Sequence, residues 1–215
     1  MQCSFRVTAI AVASMASVQA ADAAFVVSGA FRETTVVNGA TVPQSFTTSA
    51  TSGSFNGDAS DLGNDFTTVA NQGSNLLSSR MTFVGGVTVT QGGGFGLSGR
   101  SNATVTFGVS VSETIRWSIN LNAAEFGGSN AGSVSVRLED VTSGTTLINH
   151  ARSFVGQGNV SLLADRTYRL IISSTAQASS AGDAESTFNV GFYTIPAPGA
   201  FALLGLAGIT GRRRC

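Results

Sequence analysis

Strict period-two alternation of apolar and polar residues is the feature that most restricts what this chain can fold into. Val105, Phe107, Val109 and Val111 alternate with Thr104, Thr106, Gly108 and Ser110. Ile115, Trp117, Ile119 and Leu121 alternate with Arg116, Ser118 and Asn120, and Val134, Val136 and Leu138 with Ser135, Arg137 and Glu139. Met81, Phe83, Val87 and Val89 share one parity, bridged by Gly85. Tyr168, Leu170 and Ile172 repeat the pattern, as do Phe188, Val190 and Phe192. Successive side chains of a strand point to opposite faces, so each run buries one face and wets the other. That is the signature of antiparallel sheet, since parallel sheets bury both faces.

The punctuation agrees. Asn38-Gly39 lies between two Val/Thr-rich runs and predicts a hairpin turn. Gly92-Gly93-Gly94, Gly127-Gly128, Ser143-Gly144 and Ala181-Gly182-Asp183 interrupt the later runs. Strand-like runs at this spacing predict an all-β antiparallel sandwich or jelly roll of about nine to eleven strands. No long helix is predicted in this region, and Gln72 to Ser79 reads at most as a single turn.

The two ends are different in kind. Arg6 is the only charge before Asp22, and Val7 to Val18 is small and apolar. Small residues follow at Val18-Gln19-Ala20 and at Ala21-Asp22-Ala23. A basic start, a short apolar core and an Ala-x-Ala-like site describe a secretory signal peptide over residues 1–23, with cleavage after Ala20 or Ala23. The apolar core falls well short of the roughly 20 residues a membrane-spanning helix needs. At the other end, Ile195-Pro196-Ala197-Pro198 leads into the apolar segment Gly199–Gly211 and then Arg212-Arg213-Arg214-Cys215. The prolines break a strand, and the arginines resist translocation. The apolar segment spans about 20 Å as a helix, against a hydrocarbon core of about 30 Å. It reads as a transient membrane stop rather than a permanent anchor.

That order of parts over residues 195–215 resembles the PEP-CTERM sorting signals of exported bacterial proteins. Pro196 and Pro198 match the two prolines of that signal, Ala202 to Ile209 its helix, and Arg212 to Arg214 its basic end; Ala197 stands where the family has Glu. The resemblance implies processing by an exosortase-type membrane transpeptidase and delivery to the cell surface. Residues 103–176 resemble, in their order of strands and turns, the later strands of secreted jelly-roll accessory modules of pre-peptidase C-terminal and carbohydrate-binding types. The resemblance runs through Val136-x-Leu138-x-Asp140-x-Thr142-Ser143-Gly144 and Leu162 to Leu170.

Residues 24–194 then form one domain, enough for a single core. That stretch has no cysteine, because Cys3 and Cys215 lie in the two ends, so neither a disulfide framework nor a thiolate metal site is available to it. The chain has no lysine, and within 24–194 eight scattered arginines face eleven acids, a net charge of −3. Nucleic acid wants a clustered basic patch and is not an expected partner.

Catalytic patterns are sparse. His150 is the only histidine, which excludes His-rich metal sites, and neither G-x-S-x-G nor a P-loop is present. Glu113, Glu125, Glu139 and Asp140 are the candidates for a glycosidase carboxylate pair, which would need two of them about 5 to 9 Å apart. Glu139 alternates with core residues and is expected to face solvent. Asn56 to Asp65 reads as a polar loop whose Asp58, Asp61 and Asp65 offer oxygen ligands to Ca²⁺, without EF-hand spacing. Loops of this composition also arise simply because Asp, Asn, Ser and Gly make turns. No other cofactor is expected. A sugar site needs exposed aromatic faces. Trp117 shares the parity of Ile115 and Ile119 and reads as core; Tyr168 and Tyr193 read as buried or half-buried, which leaves Phe95 and Phe126. Thr88/Thr90 and Thr104/Thr106 are wet strand faces that can also present a flat surface to ice or sugar.

The expectation is an exported, non-enzymatic cell-surface or extracellular-matrix protein with a structural or adhesive sandwich. The alternatives are a polysaccharide-binding module and, below it, a glycoside hydrolase or ice-binding protein.

Overall fold

Every alternating run becomes a strand, with only Ser110 and Val111 falling past the end of their own. In the computed structural model, described here for residues 24–38, 43–92, 96–125 and 130–195, the chain forms β1 (Phe25–Asn38), β2 (Gln44–Thr48), β3 (Gly53–Leu62), β4 (Phe66–Leu76), β5 (Arg80–Gln91), β6 (Leu97–Val109), β7 (Glu113–Glu125), β8 (Ala131–Asp140), β9 (Thr145–Ala151), β10 (Phe154–Leu162), β11 (Tyr168–Ala178) and β12 (Gly182–Thr194). They make two six-stranded sheets, ordered β2-β1-β6-β11-β8-β9 and β10-β7-β12-β5-β4-β3. Neighbouring strands are antiparallel throughout. The architecture is an all-β antiparallel two-sheet sandwich. Among the described residues, no helix is long and apolar enough to cross a membrane. The signal-like residues 1–23 and the tail from Pro196 onward lie outside the described residues, as does the turn after Asn38.

Two stretches differ from their sequence reading. Asn56 to Leu62 lies in strand β3 rather than in a loop, and only Gly63 to Asp65 connects it to β4. Gln72 to Leu76 continues β4 and makes no helical turn. The reason is tertiary. Both strands alternate, but apart from Leu76 at the end of β4 their buried positions carry small or polar side chains: Gly57 and Ala59 on β3, and Thr68, Ala70, Gln72 and Ser74 on β4. Pairing of β4 with β5, and of β3 with β4, supplies the backbone hydrogen bonds that weak strand formers cannot secure alone.

The sheets stack in register, β1 over β3 and β4, β6 over β4 and β5, β11 over β5 and β12, and β8 over β12 and β7. A bulge between Val27 and Gly29 shifts the parity of β1, so Phe25 and Val27 at one end and Arg32, Thr34 and Val36 at the other all face inward.

The interior is divided. One cluster holds the large side chains, including Phe25, Phe83, Phe107, Tyr168, Phe188 and Phe192. The other is built from Ala59, Ala70, Ala176, Ala178 and Ala184 with Val36, Val87, Val89 and Leu97. Between them runs a hydroxyl belt. Thr34, Ser101 and Ser174 share one rung of the first sheet. The Ser174 and Ser186 hydroxyls sit 2.7 Å apart across the interior, and Ser101 Oγ donates to the Asn71 carbonyl at 2.9 Å. Arg32 lies in this belt with no exposed surface. Its Nη1 donates to Ser74 Oγ at 3.1 Å, its Nη2 to the Ala50 carbonyl at 2.7 Å, and its guanidinium lies 5.4 Å from the centre of the Phe55 ring.

Candidate functional site

The two outward faces of the sandwich differ in chemistry. On the first sheet the strongest charges are paired with each other. Glu139 is bracketed by Arg137 at 2.6 Å and Arg169 at 2.7 Å. It therefore points outward as expected yet is largely covered by the two arginines. The Arg169 hydrogen bond, reinforced by the Arg137 charge, holds its carboxyl below the usual glutamate range despite burial. Asp140 meets Arg166 at 2.5 Å and accepts from the Ser143 N–H at 3.0 Å. Burial pushes the Asp140 pKa up, but those hydrogen bonds outweigh it and leave the group below its ordinary value.

The outward face of the second sheet is built from amides and hydroxyls. One rung runs Gln157, Ser118, Gly191, Thr82 and Asn75 across β10, β7, β12, β5 and β4. The next runs Val155, Asn120, Asn189 and Val84. Three concavities of about 950, 390 and 340 Å³ adjoin along this face. The first two share Ser118 and Gln157, and the last two share Asn120 and Asn189. They join into a shallow trough crossing from β10 to β4, about 19 Å at the usual strand spacing. Val155 is 78% exposed and Val84 53%, so apolar patches alternate with the amides along its floor.

One aromatic ring lies at the end of this trough. Tyr193 is 37% exposed and helps line the largest of these three concavities. The hydroxyl end of its ring lies over Gly191: a β-carbon at that glycine would meet the Tyr193 hydroxyl oxygen first and would fall 2.7 Å from the ring carbons Cε2 and Cζ. The sequence sets this up. Phe192 and Tyr193 are adjacent, so one must face in and the other out. Gly191 shares the outward parity and carries no side chain to prop the ring up. Across the neighbouring strand, Arg116 Nη2 donates to Gln157 Oε1 at 2.6 Å, which fixes the polar wall beside the ring. Amides offer a donor and an acceptor in one plane, and an aromatic face offers a flat apolar platform. Together they suit a ligand with polar edges and apolar faces.

The other sequence candidates are dispersed. Asp58 and Asp61 have opposite parity on β3, Asp58 outward and exposed and Asp61 toward the interior side; Asp65 is in the β3–β4 connection. Among the described residues, no group of three metal-ligating side chains is gathered. Glu113 is on β7 of the second sheet facing inward, while Glu139 and Asp140 are on β8 of the first, so the structure does not bring these carboxylates to one cleft. Both Glu113 oxygens are buried without a hydrogen-bond partner, and burial raises its pKa. Trp117 faces inward as expected but is only half-buried, because it borders edge strand β10 and lies over Gly158. His150 stacks on Phe154 with centroids 3.6 Å apart, and Trp117 is 5.8 Å from His150. Tyr168 is buried, its hydroxyl accepting from the Leu163 N–H at 2.7 Å. Thr88 and Thr90 face outward on β5, and Thr104 and Thr106 on β6. Phe95, Phe126, Pro196, Ala197, Pro198 and Arg212 to Arg214 lie outside the described residues. Tyr193, expected from the sequence to be buried or half-buried, is instead exposed at the head of the trough; the adjacent pair Phe192-Tyr193 after Gly191 was the signal for an outward ring.

No protein-family model and no curated protein matches the chain. Among solved structures it is similar to TmCBM61 in complex with β-1,4-galactotriose, with 12% identity over 66% of this chain and 88% of that one and a TM-score of 0.21. A likeness at that level carries no argument about this chain, whose site rests on its own geometry.

Proposed function

We propose that this chain is an exported cell-surface or extracellular-matrix protein whose sandwich is a non-enzymatic adhesive module that binds polysaccharide in the trough of the second sheet. The observation that carries this reading is the Tyr193 ring lying open on Gly191 at the head of a trough lined by Ser118, Asn120, Gln157 and Asn189. Sugar rings have apolar faces and hydroxyl edges, which match an aromatic platform beside amides. The shallowness of the trough suits an extended polymer rather than an enclosed small molecule. In this reading the N-terminal signal exports the chain. The PEP-CTERM-like tail, with Pro196, Pro198 and Arg212 to Arg214, holds it transiently at the membrane until an exosortase-type transpeptidase delivers it to the surface.

Affinity electrophoresis of the full chain against a panel of polysaccharides tests the binding. Retention by at least one polymer is expected, with Tyr193→Ala weakening it about tenfold through loss of the stacking platform. Absence of retention across the panel, or equal retention of the variant with unchanged far-UV circular dichroism, refutes the assignment.

A further inference from the structure

The head of the trough carries more than an aromatic ring. On the outward face, Tyr193 pairs across β12 with Arg116 of β7 on one side and with Arg80 of β5 on the other. Both arginines are exposed, and neither meets a carboxylate among the described residues. Two arginines therefore flank Tyr193 on a single rung, each about 5 Å from it in backbone spacing, with Arg116 Nη2 also donating to the neutral Gln157 amide on β10.

The carboxylates of this face are far away. Glu185 and Asp183 lie on the same strand as Tyr193, eight and ten residues distant, or about 27 and 34 Å at strand rise. Asp58 shares the rung of Thr187, six residues along, or about 20 Å. The Debye length is about 8 Å at physiological ionic strength, so those acids do not offset the arginines. The head of the trough is locally cationic although residues 24–194 carry a net charge of −3. Guanidinium is the side chain whose planar donors match a carboxylate or sulfate in bidentate fashion.

We infer that the Tyr193 end of the trough selects an anionic sugar residue, its ring stacked on Tyr193 and its acid group held between Arg80 and Arg116. This rests on the reading of the trough as a polysaccharide site and adds the class of sugar that its head accepts. The amides farther along, from Asn120 and Asn189 toward Asn71, take the uncharged neighbours in the same polymer.

The test compares polymers that differ only in charge. The full chain is run in affinity gels containing polygalacturonate, its methyl-esterified counterpart, dextran or dextran sulfate, at low and at physiological salt. Polygalacturonate is expected to retain the chain more strongly than the ester, with the difference shrinking as salt rises. Arg80→Gln combined with Arg116→Gln is expected to lower the acid-to-ester preference about tenfold. Retention by dextran sulfate in place of polygalacturonate, lost in the double variant, assigns the anion as a sulfate ester. Equal retention of acid and ester, with Tyr193→Ala weakening both, overturns the inference and leaves the polysaccharide reading standing. Retention by the acidic polymers that the double variant preserves overturns it as well, since the anion then binds elsewhere. No retention by any polymer removes both readings.

Discussion

Among the described residues, Arg32 and Glu113 face into this sandwich without an opposite charge, and they differ in how they are tolerated. Arg32 has a hydroxyl, a carbonyl and an aromatic face around it, so its charge is spread over several dipoles although burial lowers its pKa. Glu113 has nothing comparable, and both its oxygens are buried and unpartnered. Its folded pKa is raised from the ordinary 4.5. A carboxyl whose folded pKa exceeds its unfolded value contributes stability that is complete below the unfolded pKa and is lost as pH rises through the folded one. Glu139 and Asp140, lowered by their arginines, act in the opposite sense and lose their contribution as pH falls. Comparing Glu113→Gln with the parent isolates the first effect. Thermal melts from pH 4 to 8 should show the variant gaining stability over the parent as pH rises, with the difference smallest at the acid end. A difference that stays flat across the range would place Glu113 in contact with water.

At the scale of the strand, legibility followed the size of the inward side chains. In β6, β7, β11 and β12 the inward positions carry Phe107, Ile115, Leu170 and Phe192, and the alternation alone delineates them. In β3 and β4 large inward side chains stand only near the strand ends, at Phe55, Phe66 and Leu76, and the positions between carry glycine, alanine, threonine, glutamine and serine. There the period-two pattern exists in burial but not in hydropathy, so a strand reads as a polar loop. The candidate site was hidden for a related reason. Its residues occupy the wet parity of β7, β10 and β12, and wet positions look alike until pairing sets strands side by side. No reading of β7 alone places Arg116 beside Tyr193, because the partner strand comes some seventy residues later in the chain. Strand parity does make a sharp prediction at Gly191. Its side chain would point outward under the Tyr193 ring, so Gly191→Val should lift the ring without touching the core. The variant should keep the parent's far-UV spectrum and melt within a few degrees of it, since outward substitutions usually cost about 0.5 kcal/mol or less. Its polysaccharide retention should nonetheless fall as far as that of Tyr193→Ala. Retention equal to the parent would show that the ring held over Gly191 is not the platform.

Across the whole molecule, the two halves of the interior are unequal in what they contribute. Full burial of a phenylalanine, leucine or isoleucine is worth about 1.5–3 kcal/mol, whereas an alanine adds about one methyl group, near 0.8 kcal/mol. The cluster with six buried aromatic rings must hold the sheets together far more strongly than the one built on five alanines. The hydroxyl belt between them interrupts the apolar packing, so the weaker half can open without dragging the stronger half with it. Strand β6 runs through both, with Leu97 in the alanine cluster, Ser101 in the belt, and Val105 and Phe107 among the aromatics. Its amides therefore report the gradient along one central strand, paired on both sides. Native-state hydrogen exchange should show Gly99 to Ser101 opening at a lower free energy than Val105 to Phe107, as a sub-global unit distinct from global unfolding. The Tyr193 end of β12 lies at the aromatic side, with Phe192 packed in that cluster, so the head of the trough stands on the part of the sandwich that opens last. A single common opening energy along β6 would mean that the belt welds the two clusters into one cooperative core rather than dividing them.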